Sequence, residues 1–435
     1  MKKLPIGIQD FPHIRQEGYI YVDKTSYLYR LITEGKVYFL SRPRRFGKSL
    51  LVSTLEQIFR GNQALFEGLY IHDKIEWKEH PVIKLDMTQM AYRRPEELET
   101  ALVECLQAIG REYGVAINGR LPKDAFANLV TALSPRGKVA LLIDEYDKPI
   151  IGALPDTVAC AAYRDLLKDF YGVIKGLDAH LKFVFLTGVS KFSRTSIFSD
   201  LNNLYDLTMD REFSAVLGYT QVELESYFAE HIDAVSTEMD VTPVALKEKM
   251  EHWYNGYRFS IQDERVYNPF SMLSFFRQRE FRNYWFATGT PTFLIKLMRE
   301  RNFDLSDLEH LVARESTLGK YEVEKMQLIP LLFQTGYLTI DAVERDEEAE
   351  EVLYHLRYPN REVERSMLDY FVAEYMGVEN GDQELRLREL RALLKSGSVA
   401  EFLEAVQGIL AGIPHTLVLA HENYYSSIIY TILKM

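Results

Sequence analysis

Four runs in the first half of the chain are almost wholly apolar: residues 36–41 (KVYFLS), 81–87 (PVIKLDM), 139–144 (VALLID) and 182–187 (KFVFLT). A run without polar alternation suits a strand covered on both faces. A shorter fifth strand is expected at 204–208. Helical spacing fills 49–60, most of 95–133, and 159–177. Strands alternating with helices predict an α/β unit, a parallel sheet with helices on both faces, over residues 1–215.

The pattern changes after about Ser214. Residues 219–232, 244–254, 270–277 and 292–301 have helical periodicity with few strand candidates between them, which predicts a helical lid over 216–315. Then come an apolar helix at 323–334, a strand at 337–343 and another at 352–358. A charged loop, Glu344-Arg345-Asp346-Glu347-Glu348-Ala349-Glu350-Glu351, separates the two strands. Helix, strand, charged loop, strand is the ending of a winged helix, placed at 316–380. Helices at 361–376, 399–410 and 424–433 follow, with 381–435 as a helical lead-in to a missing or truncated C-terminal domain.

The segment Arg42-Pro43-Arg44-Arg45-Phe46-Gly47-Lys48-Ser49 lies between a predicted strand and a predicted helix, the setting in which a P-loop has a use. Backbone N–H groups at a helix N-terminus face phosphates. A glycine allows close approach, a lysine neutralises the β- and γ-oxygens, and a hydroxyl holds magnesium. Gly47, Lys48 and Ser49 supply these three, and Arg45, Phe46 and Leu50 complete the candidate nucleotide contacts. The motif's usual first glycine falls at Arg42, so Arg42, Arg44 and Arg45 are expected to crowd the loop with charge. The competing reading is a basic loop before an ordinary helix.

Asp144-Glu145 ends the 139–144 strand. Asp144 would order magnesium together with Ser49, and Glu145 would take a proton from the attacking water. The bland alternative is a capped strand end with solvated acids. Asp147 is expected to be a helix or turn cap. Thr187, ending the fourth strand, is the candidate sensor of the γ-phosphate, and Arg194 or Arg211 the candidate arginine finger or sensor.

Composition narrows the classes. Lys plus Arg number 51 against 63 Asp plus Glu, a net charge of −12, which argues against a whole-protein grip on nucleic acid. Cys105 and Cys160 cannot build a disulfide framework or a four-cysteine zinc site and are read as core residues. No run approaches the roughly 20 apolar residues of a membrane span, and a cytoplasmic protein is expected. No histidine pair has zinc-ligand spacing.

Several segments together carry a resemblance: Tyr21-Val22-Asp23-Lys24-Thr25, RPRRFGKS at 42–49, LIDEYD at 142–147, TGVSK at 187–191, WYNGYRF at 253–259, Tyr267-Asn268-Pro269 and QTGYLT at 334–339. The chain resembles the bacterial and archaeal AAA-ATPase-like proteins, which commonly carry a C-terminal PD-(D/E)XK nuclease-like domain. The resemblance spans nearly the whole chain and implies an ASCE/AAA-like P-loop NTPase core that uses ATP and Mg²⁺. Arginine at the Arg42 position is a feature of that family's loop. It also implies that 21–25 packs near the nucleotide, with Asp23 or Thr25 lining its pocket, although Asp-Lys-Thr before a helix is equally an N-cap. His421-Glu422-Asn423-Tyr424-Tyr425 resembles the helix leading into the nuclease-like domain. The strands that would hold its Asp and Glu-x-Lys do not follow before Met435. No nuclease activity is expected from this chain.

Two functions follow as expectations. One is an ATP-hydrolysing switch whose nucleotide state moves lid and winged helix, with a homo-oligomer as an option. The other is a nucleotide-binding scaffold that does not hydrolyse, presenting the winged helix to a protein or nucleic-acid partner. The acidic 344–351 loop favours protein. A small-molecule kinase is disfavoured, because no acceptor pocket is evident after Thr187.

Overall fold

The computed structural model describes residues 1–191, 197–198, 201–285, 294, 297–299, 301–319, 327–376, 382–413 and 421–434. Strands β1 (Val37–Ser41), β2 (Val82–Asp86), β3 (Val139–Asp144), β4 (Leu181–Gly188) and β5 (Tyr205–Asp206) form one sheet in the order β2-β3-β4-β1-β5. Every pairing is parallel. All of β1 and β3 is buried, which is why their sequences show no alternation.

Parallel register gathers the strand ends on one edge. Ser41 pairs with Gly188, and Asp86 with Asp144. β4 lies between the strand feeding the candidate phosphate loop and the strand feeding the acidic pair. Ligands in open α/β sheets bind outside such carboxyl ends.

The expected helical stretch at 95–133 is two helices, Pro95–Glu112 and Pro122–Leu133, each with proline in its first turn. Gly114, at φ 65°, stands in the turn that separates them. The expected helix at 219–232 is likewise two, Gln221–Tyr227 and Ala229–Glu238. The break at Phe228 seats its fully buried ring against Phe276, centroids 5.1 Å apart. These helices, with Pro243–Tyr254 and Pro269–Gln278, enclose an apolar core of their own, to which Ile20 and Val22 contribute. Asn268 caps the last of them, accepting from the N–H groups of Phe270 and Ser271 ahead of Pro269.

A second sheet is antiparallel, in the order β6 (Val312–Arg314), β8 (Glu351–Arg357), β7 (Thr339–Asp346). β6 has three residues, too few to show alternation in sequence. The acidic stretch is shorter as a loop than expected: β7 runs to Asp346, β8 starts at Glu351, and only 347–350 turn. Charged residues fit on these strands because one face meets water, where Glu344 pairs with His355 and Glu351 with Arg314. The helix Leu328–Thr335 precedes β7, and Arg361–Met376, Asp382–Ser396, Val399–Ala411 and Glu422–Lys434 follow β8. Residues 323–326 and part of 292–301, expected to be helical, lie outside the described residues. No helix among the described residues is long and apolar enough to cross a membrane.

Candidate functional site

The helix Lys48–Phe59 begins directly after Gly47, whose φ of 95° is open to glycine and costly for other residues. Arg45 also has positive φ, at 69°. This path turns the loop sharply between β1 and the helix. Among the described residues, the N–H groups of Phe46, Gly47, Lys48, Ser49 and Leu50 meet no acceptor. Such groups at a helix start form an anion-binding nest. The Lys48 ammonium lies within it, donating to the carbonyls of Arg42 (3.2 Å) and Pro43 (3.3 Å) and standing 3.3 Å from the Glu145 carboxylate.

Arg42 does not crowd this nest. Its side chain is 1 % exposed and points the other way, donating to the carbonyls of Ser41, Thr208 and Phe213 and lying over the Phe259 ring. Burial pulls its pKa down to about 9, with Asp206 opposing. An arginine at the usual glycine position thus serves as an internal strut. Arg44 and Arg45 are exposed, and Arg45 lies over Phe270.

The acidic strand end lies beside the loop. The Ser49 hydroxyl stands next to the Asp144 carboxylate and favours its charged form. Burial pushes that carboxyl up to about 6; the Ser49 hydroxyl and Lys48 oppose the rise, while Glu145 and Asp86 add to it. Two oxygen donors side by side under the nest suit a hard divalent cation. Glu145 has φ 52°, left-handed for a residue with a side chain. Its carboxylate stands at the nest's mouth, partly exposed.

Thr187 is fully buried, and its hydroxyl donates to the Leu40 carbonyl at 2.8 Å. The proton that a sensor would offer to phosphate is already held within the sheet. Arg194 lies outside the described residues. Arg211 is exposed near Tyr205, beyond the edge strand β5. Asp23 and Thr25 do not face the nest: Asp23 accepts from the Thr25 and Tyr70 N–H groups, and the Thr25 hydroxyl accepts from Ile71 N–H. The N-cap of the helix Thr25–Glu34 is Lys24, which makes no side-chain cap bond; Asp23, one residue earlier, takes the first helical N–H.

Asp147 occupies the N-cap position of the helix Lys148–Ala153 but makes no side-chain bond to it. Its fully buried carboxylate accepts instead from Val189 N–H (3.1 Å) and Ser190 N–H (2.6 Å). Burial, and then the charge of Glu145, raise its pKa.

Two features lay beyond motif reading. A narrow cleft of about 70 Å³ opens beside Gly47, between Tyr21, Lys24, Leu50, Leu217, Tyr219 and Pro269. Lys24 is tied down at its rim, donating to Ala215 O and Glu223, while Glu223 also completes the capping box with Thr220. Larger cavities of about 620 and 840 Å³ lie elsewhere and contain no residue of the phosphate loop, so volume is a poor guide here. The second feature is how the rest of the chain wraps the loop. The Phe46 ring, 1 % exposed, stands edge-on to Tyr257 and Phe259. Pro43 packs on Gly336, where any Cβ would come within 2.7 Å. The indole N–H of Trp285 donates to Arg44 O. The only advance signal was that WYNGYRF and QTGYLT are aromatic- and glycine-rich.

The family model described as Predicted AAA-ATPase matches residues 5–198. That stretch includes the nest, the acidic pair and most of the parallel sheet. A protein of Azotobacter chroococcum mcd 1, described as an uncharacterized protein in the vnfD 5′ region, is 39% identical over 439 residues, covering 99% of this chain and 82% of the relative. The chain belongs to the AAA-ATPase-like family. Its five-stranded parallel core fits the nucleotide-binding P-loop that goes with the family.

Proposed function

We propose that this AAA-ATPase-like chain binds ATP with Mg²⁺ and hydrolyses it, using the change of state to move its second half. The observation that carries the reading is the nest of five free N–H groups enclosing Lys48, with the Ser49–Asp144 pair beneath it. The β- and γ-phosphates would lie in the nest, and the base in the cleft against Tyr21, Leu50 and Leu217. Ser49 and Asp144 would hold magnesium, which supplies charge neutralisation across the phosphate oxygens. Lys48 would exchange its loop carbonyls and Glu145 for phosphate oxygens. That exchange releases the Glu145 carboxylate to take a proton from water. Lys48 bound to Glu145 supports a resting form in which the base is held back until nucleotide arrives.

The second half would respond because it touches the loop directly, through Phe46, Pro43 and Arg44. In this reading 216–315 acts as a helical lid. Residues 316–380 form a winged-helix-like unit whose acidic hairpin favours a protein partner, and 381–435 form a helical lead-out. An arginine from a second copy would complete the site if the protein assembles.

The test is Mg²⁺-dependent ATP turnover by the purified chain and by Lys48→Ala and Glu145→Gln. Turnover lost in both variants supports the reading. Binding of Mg·ATP by calorimetry with no turnover above either variant replaces it with the non-hydrolysing scaffold.

A further inference from the structure

We infer that Asp147 is a positioning residue of the nucleotide site: its carboxylate clasps the N–H groups of Val189 and Ser190 and so fixes the turn bearing Glu145 against the segment after β4. The inference rests on the reading of this site as an ATP site.

The geometry of the turn supports it. Asp147 stands where a helix cap would, yet the helix Lys148–Ala153 starts without a side-chain cap because the carboxylate crosses to the neighbouring strand end. Three further contacts close the same joint. Tyr146 N–H donates to Thr187 O at 3.0 Å, and the Tyr146 hydroxyl donates to Ser190 O at 2.9 Å. Gly188 packs so tightly that a Cβ there would sit 2.4 Å from Asp147 Oδ1 and 2.6 Å from Tyr146 Cδ1. The acidic turn and the segment after β4 therefore move as one body.

That body is also bonded to the phosphate loop. Val189 O accepts from the Ser41 hydroxyl at 2.5 Å, and Gly188 O from Arg42 N–H at 3.2 Å. Asp147 thus lies on the short path joining Glu145 to the start of the loop. Glu145 depends on such a frame, since its left-handed backbone persists only where the surroundings hold it. A general base must be placed to within a fraction of an ångström, and a misplacement of about 1 Å costs on the order of 10²-fold in rate. Asp147 supplies placement through its neighbours and need not touch nucleotide.

The experiment compares Asp147→Ala, Asp147→Asn and Asp147→Glu in the full chain. It reads kcat, the dissociation constants of Mg·ATP and Mg·ADP by calorimetry, and urea stability. Asparagine retains one oxygen able to accept both N–H groups, as Oδ2 does now. Glutamate keeps the charge but displaces it by a methylene. The expected result is a kcat loss on the order of 10²-fold in folded Asp147→Ala. Its Mg·ADP affinity stays within about threefold, and its preference for Mg·ATP over Mg·ADP changes at least about fivefold. Asparagine returns kcat to within about threefold of wild type, and glutamate leaves it at least about tenfold down. Folded Asp147→Ala with wild-type kcat and nucleotide preference overturns the inference. So does loss of kcat that only tracks loss of fold, or equal kcat in the Asn and Glu variants; that pair decides if the alanine variant does not fold. If wild type binds Mg·ATP without turnover, the hydrolysis reading fails, and the change in nucleotide preference alone decides the role of Asp147. If wild type binds neither nucleotide, both fall.

Discussion

The two sheets bear charge in opposite ways. In the parallel sheet, acids occur at the carboxyl edge, where Asp86 and Asp144 pair and Glu145 follows. The strand interiors β1 and β3 are wholly buried. In the antiparallel sheet, charge runs along the strands themselves, with Glu344, Arg345 and Asp346 on β7 and Glu351 and Arg357 on β8. The difference follows from covering. A sheet with both faces packed has only its ends available for polar work, and there the side chains are held by neighbours on several sides. A sheet with one face in water can carry charge anywhere, but water and rotamer freedom leave that charge poorly organised for chemistry. The proposed nucleotide chemistry sits at the first sheet's edge, while the second sheet's face carries charge without such organisation.

The sharpest way to break this contrast is to remove charge from each sheet in turn. Glu145→Gln or Asp144→Asn should lower ATP turnover by about 10²–10⁴-fold, the range for a lost general base or a displaced metal ligand. Reversing Glu347 and Glu348 on the exposed hairpin turn should leave turnover within about twofold. Equal losses from both would show that the hairpin shares in the chemistry.

Next in size is packing. Phe46→Ala removes a buried ring from between Tyr257 and Phe259 and should cost about 3–5 kcal/mol in urea unfolding. The half-buried Val343 of β7, truncated to alanine, should cost about 1 kcal/mol or less. Similar values at both positions would mean that the phosphate loop is not anchored through its ring.

Glu362 lies where the two regions meet. Its fully buried carboxylate accepts from the Ser271 hydroxyl and the Trp285 N–H, and the Trp285 indole reaches the phosphate loop. Burial raises its pKa to about 7 from 4.5, against the pull of those hydrogen bonds. A raised folded pKa means that the native state holds the proton more tightly. The resulting stability is complete below about pH 4.5 and is lost as pH rises through about 7. Wild type should therefore lose up to about 3 kcal/mol relative to Glu362→Gln across that window. Urea titrations of both proteins at pH 5, 6, 7 and 8 check this, since other buried carboxyls such as Asp144 contribute to both and cancel. A difference independent of pH would place the Glu362 pKa near its ordinary value.

The smallest expected effect is local. Thr220→Ala removes half of a capping box and should cost about 1 kcal/mol, seen as a small drop in the urea midpoint with ATP turnover unchanged. A large loss of turnover would show that Glu223, which also pairs with Lys24 at the cleft, depends on that cap.

Much of the first half was legible in the sequence because local rules govern it. Unbroken apolar runs mark strands packed on both faces, and all five expected strands are present. Gly-Lys-Ser before a helix specifies an N-terminal nest by backbone chemistry alone. An aspartate ending an apolar strand comes to the same edge as the loop's Ser49 because parallel register gathers the strand ends there. The second half was less legible. The helix break at Phe228 depends on its ring meeting Phe276, and the three residues of β6 are a strand only because β8 lies beside them.

What the chain alone determined is therefore the alternation of strands and helices in the first half, which brings Gly47, Lys48, Ser49, Asp144 and Glu145 to one edge of the sheet. Only the tertiary structure decided where three other side chains spend their hydrogen bonds. Arg42 could have faced phosphate, but the carbonyls of Thr208 and Phe213 draw it inward. Thr187 could have offered its proton to the site, but Leu40 O takes it. Asp147 could have capped its own helix, but the N–H groups of Val189 and Ser190, just past β4, hold its carboxylate instead. Each choice sets one local partner against one distant in sequence, and a buried polar group goes to the partner that folding brings within reach when water is excluded.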